Sequence, residues 1–130
     1  MLGDADEFVR LRTSSDPADY HRAAQDEASI ETWREVVARY PDMRFWVAQN
    51  KTVPMEILAQ LACDPDVEVR SMVAMKRKLE PEILQGLADD PDDTVRMAVA
   101  QHRNTPRSVL ESLALHDPWP EVRLAATKRL

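Results

Sequence analysis

The side chains best suited to recognising another molecule are Lys51, the run Lys76, Arg77 and Lys78, the pair His102 and Arg103, then Lys128, and Trp119. Ammonium and guanidinium groups neutralise phosphates and carboxylates, and guanidinium adds paired hydrogen bonds. Tryptophan is enriched where interfaces concentrate their energy, and Trp119 stands between two prolines where the corresponding residues elsewhere in the chain are acidic. The basic groups recur at a constant spacing, so stacked units would align them into a basic ridge, with the loops DPDVE, DDPDD and DPWPE forming an acidic ridge opposite. Acids at helix starts and bases at helix ends also complement the helix dipole, by a few tenths of a kcal/mol to about 1 kcal/mol each. That need would produce the same two ridges in a protein that binds nothing. Three consecutive bases at Lys76, Arg77 and Lys78 exceed it.

A second series, Arg44, Arg70, Arg96 and Arg123, places one arginine in each unit. These could line a groove for an acidic partner. A residue repeated in every unit usually belongs to the unit's construction, so pairing with Asp64, Asp66, Asp90 or Asp92 in the same or a neighbouring loop is the expected role. Catalytic chemistry has little to draw on. His21, His102 and His116 are scattered, and Cys63 aligns with Asp89 and Leu115. No His-Glu-x-x-His, Gly-x-Ser-x-Gly or phosphate-binding glycine loop occurs. One cysteine forms neither an internal disulfide nor a thiolate cluster. Neither an enzyme nor a cofactor is expected.

The positioning elements follow from an internal repeat. Ile57, Leu58, Leu61 and Ala62 fall on Ile83, Leu84, Leu87 and Ala88, an offset of 26, and Val109, Leu110, Leu113 and Ala114 form the next copy, before a one-residue insertion near Trp119. Upstream the pattern degrades: Trp33 falls on Ile57 and Trp46 on Met72, both expected in the core, and Arg22 marks a fainter copy. In each unit, apolar residues at i, i+1, i+4 and i+5 give one helix, and Val69, Met72, Val73 or Val95, Ala98, Val99 give a second. Ser29, Asp66 and Asp92 are expected as N-caps, and Thr105 as a cap ahead of Pro106 in the first helical position. Asp64-Pro65 and Asp90-Pro91 end the preceding helices. With only two glycines and few aromatic residues, strands are not expected.

The predicted fold is therefore all-α: an α-solenoid, or superhelix, of about four to five two-helix repeats in one domain over 1–130. Residues 1–42 would form degenerate N-terminal repeats and 43–130 regular ones. The order Val-Arg, Val-Ala, Thr-Pro, Leu-x-x-Leu, Asp-Pro in VRMAVAQHRNTPRSVLESLALHDP, and its copies at Val69 and Met43, resembles the leucine-rich repeat variant, a bacterial helical repeat similar to HEAT and armadillo repeats. The resemblance covers Met43 to Thr127 well and Asp16 to Asp42 loosely. It implies paired short helices, one of which is a 3₁₀-helix in some members. The units here are longer than the family's usual unit, which favours two α-helices. A described member holds an iron–sulfur cluster through a cysteine-rich segment, which this chain lacks.

Several function classes are disfavoured by composition. No apolar run approaches the roughly 18 residues needed to span a bilayer, and the acidic N-terminus is not an export signal, so a cytoplasmic location is expected. The net charge of −6 opposes general affinity for nucleic acid or anionic membranes. The expected function is binding of a macromolecule, first a protein, as a scaffold or adaptor. The alternative is a nucleic acid or phosphate-bearing ligand on the basic ridge. Leu124, Ala125 and Leu130 have no following helix to cover them, and self-association through this end, as a homodimer, is a further expectation.

Overall fold

The computed structural model describes all residues from Met1 to Leu130. The chain is all-helical, with ten α-helices and one 3₁₀ turn, and has no strands. It divides into two compact units, Met1–Leu61 and Ala62–Leu130.

In Met1–Leu61 the helices are α1 (Ala5–Thr13), α2 (Pro17–Gln25), α3 (Ile30–Arg39), α4 (Arg44–Gln49) and α5 (Met55–Leu61), with the 3₁₀ turn Pro41–Met43 before α4. Local chemistry sets the starts. Asp4 accepts a hydrogen bond from the Glu7 N–H, Asp16 from that of Ala18 ahead of Pro17, and Ser29 from that of Thr32. Each satisfies a backbone donor that the first helical turn leaves open. On α1, Ala5, Phe8 and Leu11 share one face, and α3 turns Trp33, Val36 and Val37 inward. Phe8 meets Trp33 edge to face, with ring centroids 5.3 Å apart, a geometry that suits the ring quadrupoles. Helix α1 packs on α2 and α3, and α4 packs on α2, α3 and α5.

The unit Ala62–Leu130 holds α6 (Val67–Ala74), α7 (Pro81–Leu87), α8 (Asp93–Gln101), α9 (Arg107–His116) and α10 (Pro120–Thr127). Helix α8 packs on α6, α7 and α10, and α9 on α10. Val69, Val73, Leu84, Leu87, Val95, Val99, Leu110, Leu113 and Val122 supply the core. Asp66 and Asp92 cap α6 and α8 by accepting the N–H groups of Glu68 and of Thr94 and Val95. One turn recurs ahead of three helices: Asp64, Asp90 and Asp117 each accept, through Oδ1, the backbone N–H two residues on, at 2.9 Å in every case. These Asx turns fix the angle at which the chain enters α6, α8 and α10.

Two local expectations are corrected. Thr105 does not cap α9; it is buried, and its hydroxyl donates to the Val99 carbonyl at 2.6 Å. It thus adds a second donor to a carbonyl that already accepts the His102 N–H at 3.1 Å, while α9 begins at Arg107 without a side-chain cap. The extra residue of the last repeat does not lie at Trp119 either. Helices α7 and α9 start 26 residues apart, but α7 ends at Leu87 and α9 continues to His116. The insertion is absorbed as added helix, and Trp119 takes the N-cap position that Asp92 holds one unit earlier.

Candidate functional site

In Ala62–Leu130 three loops are stapled side by side through their backbones. The His102 Nε2 group lies 2.6 Å from the Lys76 carbonyl, and Nδ1 accepts the Asn104 N–H at 3.0 Å. That pair of contacts makes Nε2 the protonated nitrogen, because a carbonyl can only accept and a backbone N–H can only donate. Asn104 Nδ2 donates to the carbonyls of Arg77 (3.2 Å) and Leu79 (3.3 Å). Arg129 Nη1 donates to those of Ala100 (2.9 Å) and His102 (2.6 Å). The loop carrying Lys76, Arg77 and Lys78 is thus hydrogen-bonded to the loop carrying Arg103, which in turn is bonded to the turn carrying Lys128.

Arg77, Lys78, Arg103 and Lys128 are exposed and form no ion pair, unlike Arg70 with Asp90, Arg96 with Asp93 and Asp117, and Arg107 with Glu111. Lys76 is half-buried. His102 is not a ridge residue. It is buried, with both ring nitrogens committed to backbone groups, and it builds the loop from within. Trp119 is half-buried rather than free, with its backbone N–H donated to Asp117 Oδ1.

The repeated arginines are engaged inside the fold. Arg70 makes a forked contact to Asp90, Nε at 2.7 Å and Nη2 at 3.3 Å, and donates to the Asp64 carbonyl at 2.8 Å. Arg96 repeats the arrangement one unit on, with Asp117 at 2.8 and 3.4 Å and the Asp90 carbonyl at 2.8 Å, and also contacts Asp93. Arg123 donates to the Asp117 carbonyl at 2.6 Å, and Arg44 Nε to that of Val37 at 2.8 Å. The carboxylate partners hold the Arg70 and Arg96 guanidinium groups more firmly protonated than usual, through their hydrogen bonds to Asp90 and Asp117 respectively. Of the acidic loops, Asp64, Asp90 and Asp117 are buried, whereas Asp66, Glu68, Asp89, Asp93 and Glu121 are exposed.

In Met1–Leu61 the loop after α4 is stapled in the same manner. Asn50 Nδ2 donates to the carbonyls of Ala23 (2.8 Å) and Asp26 (3.1 Å), and the Lys51 N–H to that of Ala24 (2.9 Å). This brings Lys51 to an open cavity of about 750 Å³ whose wall also includes Arg12, Tyr20, His21, Gln25, Trp46 and Gln49. Trp46 is consequently not a core residue like Trp33. It is half-buried, and the Arg12 guanidinium carbon sits 3.4 Å from the centroid of its ring and 5.9 Å from that of Tyr20. The sequence singles out neither Arg12 nor Tyr20, and His21 enters only as one of the scattered histidines.

No helix is long and apolar enough to cross a membrane. Comparison of the chain with protein-family models, with curated proteins and with solved structures finds no match.

Proposed function

We propose that the chain is a non-catalytic, cytoplasmic protein-binding module of the bacterial helical-repeat type. In this reading it is an α-solenoid of four to five two-helix units of about 26 residues, and it holds an acidic face of a protein partner against the loops of Arg77, Lys78, Arg103 and Lys128. One observation carries the reading: these four exposed cations lie on loops stapled to one another and form no ion pair, whereas Arg70 and Arg96 are held by buried carboxylates. Exposed charges contribute about 0–1 kcal/mol to a fold even when paired. Complementing the helix ends accounts for a single base at each but not for the adjacent Arg77 and Lys78, and a complementary surface would gain in encounter rate and orientation. Trp119, half-buried at the N-cap of α10, lies at the other end of that helix from Lys128, so loss of partner capture in W119A would mark a second, separate contact.

The test compares the wild-type chain with the charge-reversed R77E/K78E/R103E chain and with W119A, each used to capture partners from extract of the source cells. A partner held by wild type, released by added salt and lost from the charge-reversed chain supports the proposal. Capture of the same partners by wild type and the charge-reversed chain overturns it. Salt-sensitive binding of wild type to duplex or single-stranded nucleic acid at low salt, lost on charge reversal, would replace a protein partner with the phosphate-bearing alternative.

A further inference from the structure

The cavity of Met1–Leu61 lies outside that reading and has a different character. No carboxylate is among the side chains that line it, although the chain as a whole carries a net charge of −6. Its wall instead brings together the Arg12 guanidinium, the Lys51 ammonium and the His21 imidazole. Lys51 and His21 are exposed. Arg12 forms no ion pair or hydrogen bond within the protein, and its Nε is buried without a partner. The guanidinium is held by the faces of Trp46 and Tyr20 alone. Cation–π contact fixes its position without neutralising its charge. Burying a charged donor without an acceptor is costly, so a cation arranged in this way is ready for an anion and loses little conformational freedom on meeting one.

Size and wall composition narrow the anion. A cavity of about 750 Å³ falls within the range of small-molecule sites, roughly 300–1,000 Å³, and an inorganic phosphate would leave most of it empty. The remaining wall offers the aromatic surface of Tyr20 and Trp46 and the amide of Gln25. Aromatic surface packs against planar rings, and amides pair with ring donors and acceptors.

We propose that this cavity binds a nucleoside monophosphate, its phosphate against Arg12, Lys51 and His21 and its base against the aromatic and amide wall. The experiment is isothermal titration of the full chain with each of the four ribonucleoside monophosphates, with adenosine and with inorganic phosphate. It is repeated with Lys51→Glu and His21→Glu, two exposed positions where circular dichroism checks that the helices persist. At least one nucleotide is expected to bind saturably, in about the micromolar to low-millimolar range. Nucleoside and inorganic phosphate should each bind at least about tenfold more weakly, and each substitution should weaken the nucleotide by about tenfold or more, the equivalent of roughly 1.4 kcal/mol. Saturation by none of the four nucleotides overturns the proposal. So does inorganic phosphate binding as tightly as the nucleotides, or nucleotide binding unchanged in both variants.

Discussion

Replacing Arg96 by Ala is the most demanding test of the forces described in Ala62–Leu130. The Arg96 side chain is 8% exposed and its partner Asp117 is 1% exposed. Truncation leaves a carboxylate buried with only the Trp119 N–H as a donor and removes the donor to the Asp90 carbonyl. Breaking a buried pair from one side costs about 3–5 kcal/mol, because the remaining charge stays desolvated. With a urea dependence of about 2 kcal/mol per molar, that loss moves the unfolding midpoint down by roughly 1.5–2.5 M. Circular dichroism at 222 nm during urea titration reads it directly. Arg107→Ala is the internal control, since Arg107 and Glu111 are 72% and 54% exposed, and an exposed helical pair is worth only about 0.3–0.5 kcal/mol. Removing both charges with Arg96→Met and Asp117→Leu should recover part of the loss, short of wild type by about 1 kcal/mol because Trp119 then loses its acceptor. An Arg96→Ala midpoint within the range of the Arg107→Ala control would refute the claim that the repeated arginine is a buried structural tie.

Two further outcomes follow from the same contacts. His102→Phe keeps a ring of similar size but removes the bonds to the Lys76 carbonyl and the Asn104 N–H; stability should fall by about 1–3 kcal/mol, with faster amide exchange at Asn104, and unchanged exchange there would discount the staple. The Asp92 carboxyl titrates below its ordinary value of 3.8, because the Thr94 hydroxyl and then the Thr94 and Val95 N–H groups donate to its ionised form. A depressed folded value means stability that is present above the ordinary carboxylate range and is lost as pH falls through the folded value. Asp92→Ala should therefore unfold more readily than wild type at neutral pH, with the difference narrowing as the solution is acidified; a constant difference would assign the cap's effect to something other than ionisation.

Much of the helical framework was legible because it rests on short-range chemistry. Ser29, Asp66 and Asp92 cap the helices they precede in the sequence, and the apolar spacing of Leu84 and Leu87 or Val95 and Val99 marks the buried faces. Thr105 misled because a hydroxyl before proline has the form of a cap, while its carbonyl partner, Val99, lies in the preceding helix. His102 was grouped with the bases by type, yet what buries it is the Lys76 carbonyl 26 residues earlier, and a backbone acceptor leaves no mark in sequence. Trp46 was assigned to the core by alignment with Met72. Its actual setting depends on Arg12, brought against it from α1, in a region where the repeat has degraded too far to predict which helices meet.

The staples between loops share one property: their acceptors are main-chain carbonyls, those of Ala23, Asp26, Lys76, Arg77, Leu79, Ala100 and His102. Every residue type supplies that acceptor equally. The side chains of Arg77, Lys78 and Arg103 can therefore be exchanged while the scaffold beneath them keeps its shape. Heredity and the protein engineer meet the same situation here, a surface whose lettering can be rewritten without redrafting the page that holds it.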